Sequence, residues 1–444
     1  HLGVGLGNGS ANLHNARRAH SPVVNIVGDH PAEHLPYDAP LTSDIATMAR
    51  PVSHWVGSCS SAVEAGRATA DAIAQTFGPP GRIATLIVAD DAMKSDTTNG
   101  PVAVNVPQPR IDADAMDAAA RALRSGEPAA ILLSDTGCLD RGLHAAHRIA
   151  AATGCRVLCD TFPARLDRGA GVPPVERLPY FPELVLDRLS GLRHLVLAGA
   201  PAPVSFFKYE GQPSSLVPEG CKVHSLAPEG VDAVAALEAL AEALNAPAHG
   251  YAVTELSTPV APEGPLDTRA IGRAIGAVLR EGAIIADESA TSGGPTYFLT
   301  QGCPPHSSMY LTGGGIGWGM PAATGAAIAR PDAQVFALQG DGGGMYTLQA
   351  LWTQAREGLN VTTIIFANRR YQILRTELAR AGVATMGPRA GALTDLTNPV
   401  IDWVSLAKGM GVPATRPETA EDFYQALRRA DAEPGPHLIE AVID

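Results

Sequence analysis

"LQGDGGGMYTLQALWTQAREGLNVTTIIFANRRY", residues 338–371, holds two short apolar runs, each closed by a polar side chain: Asp341 after the first, Asn368 after the second. QVFALQ, which leads into it, and VTTIIFA read as strands, because both are apolar without alternation and so fit positions buried on two faces. Between them MYTLQALWTQAREG predicts a helix, with Leu348, Leu351, Trp352 and Ala355 on one face and Gly358 at its end. A strand–helix–strand unit is right-handed with parallel strands, so Asp341 and Asn368 are expected at the same carboxyl edge of one sheet. Open α/β sheets bind ligands at that edge. Neighbouring strands lie about 4.8 Å apart, within reach of one ion for two side chains.

A carboxylate, an amide oxygen and a backbone carbonyl form a donor set for a hard cation such as Mg²⁺, which is completed by water and phosphate oxygens. Gly342, Gly343 and Gly344 would precede the helix, whose free N–H groups attract phosphate, and would let backbone approach a diphosphate closely. Two other readings stand beside this one. The first is a tight turn with Asp341 as a helix N-cap and an unrelated Asn368. The second uses GWGMPA, residues 317–322, as a dinucleotide fingerprint with Asp341 as the ribose-binding acid, which would make the chain an NAD(P)-dependent oxidoreductase.

The chain has 444 residues, too many for one ordinary core, and 45% hydrophobic against 18% charged residues describe packed globular domains. A formal charge of −12, without a basic stripe, argues against nucleic acid. No apolar run approaches the ~18 residues of a membrane span, and no secretory signal opens the chain. A cytoplasmic enzyme is expected. The six cysteines are scattered; Cys155 and Cys159 in CRVLC lack a second cluster for a metal site, and buried free thiols are predicted. His30 and His34 are four apart, but Pro31 disfavours a helix there, and a loop is expected. His144 and His147 are expected to be solvated on a surface helix.

Nine apolar runs (PVVNIVG, IATLIVAD, AAILLSD, CRVLCD, RHLVLAGA, AIIADE, QVFALQ, VTTIIFAN, HLIEAVI) alternate with Ala-rich helical stretches. The pattern predicts an α/β protein of doubly wound parallel sheets. Pro- and Gly-rich stretches at 93–109 and 245–266 divide it into units at 1–100, 108–248 and 262–444.

GDGGG followed by FAN resembles the motif of thiamine diphosphate-dependent enzymes, and TGGGIGWGMPAATGAAIA is similar to the stretch just upstream of that motif. ADESATSGG resembles their diphosphate-contacting strand end. VGLGNGSANLHNARRAHSPVVNIVGD resembles the pyrimidine-domain loop and helix of benzoylformate decarboxylases and acetolactate synthases. The resemblance implies a partial pyrimidine-binding domain, a central Rossmann-like domain and a diphosphate-binding domain. It implies Mg²⁺ on the Asp341 and Asn368 side chains and the Arg370 carbonyl. Thr291, Ser292, Gly342, Gly343, Gly344 and Tyr371 would lie at the cofactor. Ile316 would wedge it into a bent shape, and the Gly314 carbonyl would accept from its aminopyrimidine.

Leu41 and Leu374 would line the substrate pocket, and His1 matches a catalytic histidine. FAD, present in true acetolactate synthases, is left open. The implied reaction is decarboxylation of a 2-oxo acid with carboligation, or simple decarboxylation, in a homodimer or homotetramer with shared sites. The family's activating Glu would lie before His1. A chain without Met that opens on a glycine-rich loop is expected to be a fragment, and one inactive without that Glu.

Overall fold

A computed structural model describes residues 1–106 and 110–443. Residues 107–109, where one predicted linker ends and the central unit was expected to begin, lie outside the described residues, as does Asp444. Three sheets organise the chain. The first has three parallel strands, with Ile83–Ala89 between Val23–Asp29 and Trp55–Cys59. The second has five parallel strands in the order Glu176–Arg177, Arg156–Cys159, Ala129–Leu133, His194–Ala198, Lys222–Ala227. Counted along the chain this is 3-2-1-4-5, a doubly wound sheet.

The third sheet has seven strands: Ala414–Thr415, His437–Val442, Val361–Ala367, Val335–Gly340, Ala283–Glu288, His306–Tyr310 and Arg165–Arg168. Every pairing is parallel except the last. Both faces are covered. Helices Thr268–Val278 and Ala420–Ala432 pack Ile271, Ile275, Phe423 and Leu427 on one side, against Phe336, Ile364 and Ile439. On the other, Gly319–Ala329 and Trp403–Gly409 bring Met320, Ala323 and Trp403 against Val335, Val361 and Ile365. Asp267 and Thr419 start the first two helices by accepting N–H groups of Ala270 and Asp422.

The α/β expectation holds, and all nine apolar runs are strands. Arg165–Arg168 was not readable as one: RLDR carries three charges, and contacts distant in sequence hold it. The Arg168 guanidinium is buried, donates to the Thr300 hydroxyl and the Tyr297 carbonyl, and lies 3.8 Å over the Tyr297 ring.

Several expectations are corrected. The glycine-rich opening is helix, Leu2–Arg18, not loop. Leu2 and Leu6 are buried against Val27, Ile45 and Ile87, and Gly3 passes so close to Ser43 that a Cβ would stand 2.5 Å from it. Tertiary packing overrides glycine's poor helix propensity. The helix expected from Met345 is split: Asp341–Gly344 forms one turn and Ala350–Glu357 the remainder. The Thr347 hydroxyl donates to the Gly317 carbonyl at 2.8 Å and pulls the chain out of line between them. Leu351 is buried, but Trp352 is 51% exposed and does not share its face.

Gly358 ends the helix at φ 62°. His144 and His147 are half-buried, not solvated: His144 Nδ1 lies 2.9 Å from the Tyr251 hydroxyl, and burial holds the His147 pKa down. His30 and His34 are non-helical, as Pro31 predicts, with rings 5.0 Å apart. All six thiols are free; five are buried and Cys221 is half-buried.

Candidate active site

Val335–Gly340 and Val361–Ala367 run parallel with Gly340 opposite Phe366, so Asp341 and Asn368 leave the sheet at one edge. Asp341 is buried, and burial raises its pKa against the N–H groups that hold it. Oδ1 accepts from Gly342 N at 2.9 Å and Oδ2 from Arg369 N at 2.6 Å. Asn368 Oδ1 accepts from Arg370 N at 3.1 Å, and the Arg370 carbonyl accepts from Gln372 N at 3.0 Å. Arg369 reaches this arrangement at φ 57°, a left-handed backbone unusual for any residue but glycine and found at constrained sites. The structure therefore sets Asp341 beside the neighbouring strand's loop that bears Asn368 and Arg370, joined to it through Arg369 N. Their donor atoms are all oxygen with one negative charge, which fits a hard divalent cation that also takes phosphate oxygens.

The glycines form the turn itself instead of preceding it. Their missing side chains are required by the protein: a Cβ would lie 2.4 Å from the Tyr371 ring at Gly342, 2.7 Å from Glu288 Oε1 at Gly343 and 2.7 Å from Trp403 at Gly344. Tyr371 thus lies over Gly342, and its hydroxyl is 3.4 Å from that carbonyl. The turn Ala290–Ser292 packs beside the end of Val335–Gly340 and against helix Gln372–Arg380. Thr291 is exposed and Ser292 buried, with Ala290 at φ 51°. Leu374, on that helix, is exposed.

Glu288 was missed by the sequence reading. It ends strand Ala283–Glu288, is buried, and accepts from the N–H groups of Gly317, Trp318 and Gly319 at 2.5–2.7 Å. Its carboxylate therefore occupies the start of helix Gly319–Ala329, where the dinucleotide reading needs a pyrophosphate. The fingerprint is a helix start capped from inside the protein. Its partners lie 29 to 31 residues further along the chain, so no local pattern signalled its role.

Glu288 also fixes the loop that bears Gly314 and Ile316. Gly314 is exposed at φ 75°, and Ile316 is 38% exposed. On the loop's other side Asn15, buried, donates from Nδ2 to the Gly315 carbonyl at 2.7 Å and accepts from Gly315 N at 3.0 Å. His14 Nε2 lies 3.1 Å from the Gly313 carbonyl. His1 starts the same helix, roughly 21 Å from Asn15 at 1.5 Å per residue, so the chain does not bring His1 to this loop. It lines an open recess of about 390 Å³ with Leu6, Asn12, Leu13 and Asn25. Leu41 packs among Leu2, Leu6 and Ile45.

Comparison with known proteins gives the chain's family. Residues 293–441 match the family model for the thiamine pyrophosphate enzyme, C-terminal TPP binding domain. A Mycobacterium tuberculosis protein named "Putative acetolactate synthase large subunit IlvX" is 50% identical over 444 residues, covering 100% of this chain and 85% of that protein. Benzoylformate decarboxylase of Pseudomonas aeruginosa is 28% identical across 99% of this chain and 85% of its own length. In fold, the thiamine diphosphate-dependent 4-hydroxybenzoylformate decarboxylase of Rhodococcus jostii superposes with a TM-score of 0.82 at 24% identity, covering 100% of this chain and 86% of that one. The chain belongs to the thiamine diphosphate-dependent enzyme family. Within that family it is of the acetolactate synthase and benzoylformate decarboxylase type.

Proposed function

We propose that this enzyme uses thiamine diphosphate and Mg²⁺ to decarboxylate a 2-oxo acid and join the product to a second carbonyl compound. The observation that carries the reading is the Asp341 loop, where a buried carboxylate, an amide and a carbonyl sit together on a strained backbone at a sheet edge. In this reading Asp341, Asn368 and the Arg370 carbonyl hold the metal. Thr291, Ser292, Tyr371 and the turn Gly342–Gly344 hold the diphosphate. The Gly314 carbonyl would accept from the aminopyrimidine, Ile316 would hold the cofactor in a bent shape, and Leu374 would border the substrate. The cofactor supplies the carbanion; the protein orients, buries and exchanges protons with it.

His1 and Leu41 enter the reading through a second copy. A His about 21 Å along a helix from the Gly315 clamp cannot serve the same chain's site, which supports a homodimer or homotetramer with sites shared between chains. A cytoplasmic location is consistent with free thiols, and among the described residues no helix is long and apolar enough to cross a membrane.

Simple decarboxylation is the second reading, and one observation favours it. Phe206 stands so near Gly314 that a Cβ there would lie 3.0 Å from its ring. Phe162, Tyr180 and Phe207 surround it at centroid distances of 5.2–6.1 Å. An aromatic wall beside the pyrimidine end suits a bulky 2-oxo acid.

Thermal unfolding tests the cofactor: stabilisation by thiamine diphosphate with Mg²⁺ and none by NAD(P)H is expected, and the reverse overturns the reading. A panel of 2-oxo acids followed for CO₂, aldehyde and ligation product separates the two reactions.

A further inference from the structure

Helix Gln372–Arg380 leaves the candidate site directly after Tyr371, and none of its nine residues is buried. A helix this short has little stability of its own, and without an apolar face in a core it takes its place from side-chain anchors. At its start, Tyr371 N donates to the Thr394 carbonyl at 2.9 Å and Arg375 Nε to the Thr394 hydroxyl at 3.0 Å. Its far end is held by the central unit. The Arg380 guanidinium grips Glu183 with two prongs, Nη1 to Oε1 at 2.7 Å and Nη2 to Oε2 at 2.9 Å. The same group lies 4.0 Å over the Phe181 ring and 5.1 Å over that of Tyr209. The Tyr209 hydroxyl donates to Glu377 Oε1 at 3.1 Å. A bidentate fork beside aromatic rings fixes a guanidinium in orientation as well as position, which an ammonium group does not reproduce.

Tyr209 is carried by a hairpin of the central unit, residues 203–216. Ser205 N donates to the Ser214 carbonyl at 2.8 Å and Leu216 N to the Pro203 carbonyl at 2.9 Å. Leu216 is buried in that unit's core, so the hairpin is anchored at its root. Three residues before Tyr209 the hairpin presents Phe206 to Gly314. One excursion of the chain therefore touches both the Gly314 loop and the helix of Glu377. Leu374 precedes Glu377 by three residues, the spacing that brings two side chains to one side of a helix.

We infer that Arg380, Glu183 and Tyr209 are positioning residues, a clamp from the central unit on helix Gln372–Arg380 that sets where Leu374 stands against the 2-oxo acid. The link to the substrate rests on the function proposed above; the clamp itself does not.

Hydrogen–deuterium exchange on the full chain tests the clamp, in wild type, Arg380→Gln, Arg380→Lys and Tyr209→Phe. Arg67→Gln, which removes an exposed ion pair to Asp71, is the control. Arg380→Gln should speed exchange at residues 374–381 at least about five-fold, and the other two by less, because local opening follows the contacts that oppose it. The rest of the chain, and Arg67→Gln throughout, should exchange as wild type does. Unchanged exchange at 374–381, or a rise spread evenly along the chain, overturns the clamp. Thermal shift with thiamine diphosphate and Mg²⁺ runs alongside. Its absence in wild type defeats the proposed function and leaves exchange to decide the clamp. With the shift present, turnover of pyruvate and phenylglyoxylate should show KM raised roughly five-fold by Arg380→Gln and kcat within about two-fold, the pattern of lost substrate binding. A KM that stays at the wild-type value overturns the positioning role.

Discussion

The turns at Gly317–Gly319 and Asp341–Gly344 are built from the same residue type, at the same edge of the same sheet, and end in opposite electrostatic states. At the first, Glu288 takes three backbone N–H groups within 2.7 Å, and the helix start is satisfied from within. At the second, the carboxylate belongs to the turn and spends its oxygens on Gly342 N and on the neighbouring strand's loop. Glycine at a helix start is thus no indicator of a phosphate site. What matters is whether a buried acid from elsewhere already fills it.

The sharpest way to break this comparison is Asp341→Asn. It should abolish Mg²⁺-dependent stabilisation by thiamine diphosphate, read as loss of the thermal shift, while the apo protein loses only about 1–3 kcal/mol for one weakened buried acceptor. Undiminished cofactor stabilisation would reverse the assignment of the two turns. Glu288→Gln should act the other way round. With one neutral acceptor left for three N–H groups, it should cost the apo protein about 3 kcal/mol in chemical unfolding. Unchanged stability would mean the first turn is not held by this acid.

An acid outside both turns provides the pH control. Burial pushes Asp160 up to about 7 from its usual 3.8. A carboxyl raised in the folded state binds a proton there that the unfolded chain has already released. Stability from this group is therefore complete below about pH 4, falls as pH rises towards 7 and is flat beyond. Asp160 keeps a partly exposed edge, which holds the effect to about 2 kcal/mol. Asp160→Asn should stabilise the protein at pH 8 by that amount and leave pH 4 unchanged; equal effects at both pH values would contradict it.

Asn15→Ala removes the two hydrogen bonds to Gly315 and should cost about 1–2 kcal/mol. It should also weaken cofactor binding, because Gly315 then loses its only side-chain hold among the described residues, while Glu288, His14 and Thr347 still grip its neighbours. Trp352→Ala is the smallest change: exposed beside Arg356, it should alter stability by less than about 0.5 kcal/mol. A larger loss would place Trp352 against the core on the face it was expected to share with Leu351.

The elements readable in sequence were those whose cause is local. Nine apolar runs announced nine strands, and the βαβ rule put Asp341 and Asn368 on one edge. Gly358 announced its own left-handed stop. The remainder depended on partners far along the chain. Glu288 and Asn15 act on Gly317 and Gly315, 29 and 300 residues away, and neither has a local pattern. The opening glycines are helical only because Leu2 and Leu6 find a core. Phe206 reveals its place only when the central sheet is docked beside Gly314.

The strand Arg165–Arg168 gives the central unit a second role, that of guardian. It pairs antiparallel along His306–Tyr310 and so shuts the open side of the seven-stranded sheet with charged side chains. A C-terminal unit produced without it would present a bare edge ready to recruit a strand from any neighbour. Its solubility would then be borrowed from a segment encoded some hundred residues before the unit begins to build its own sheet, and fusing that short segment back should restore it.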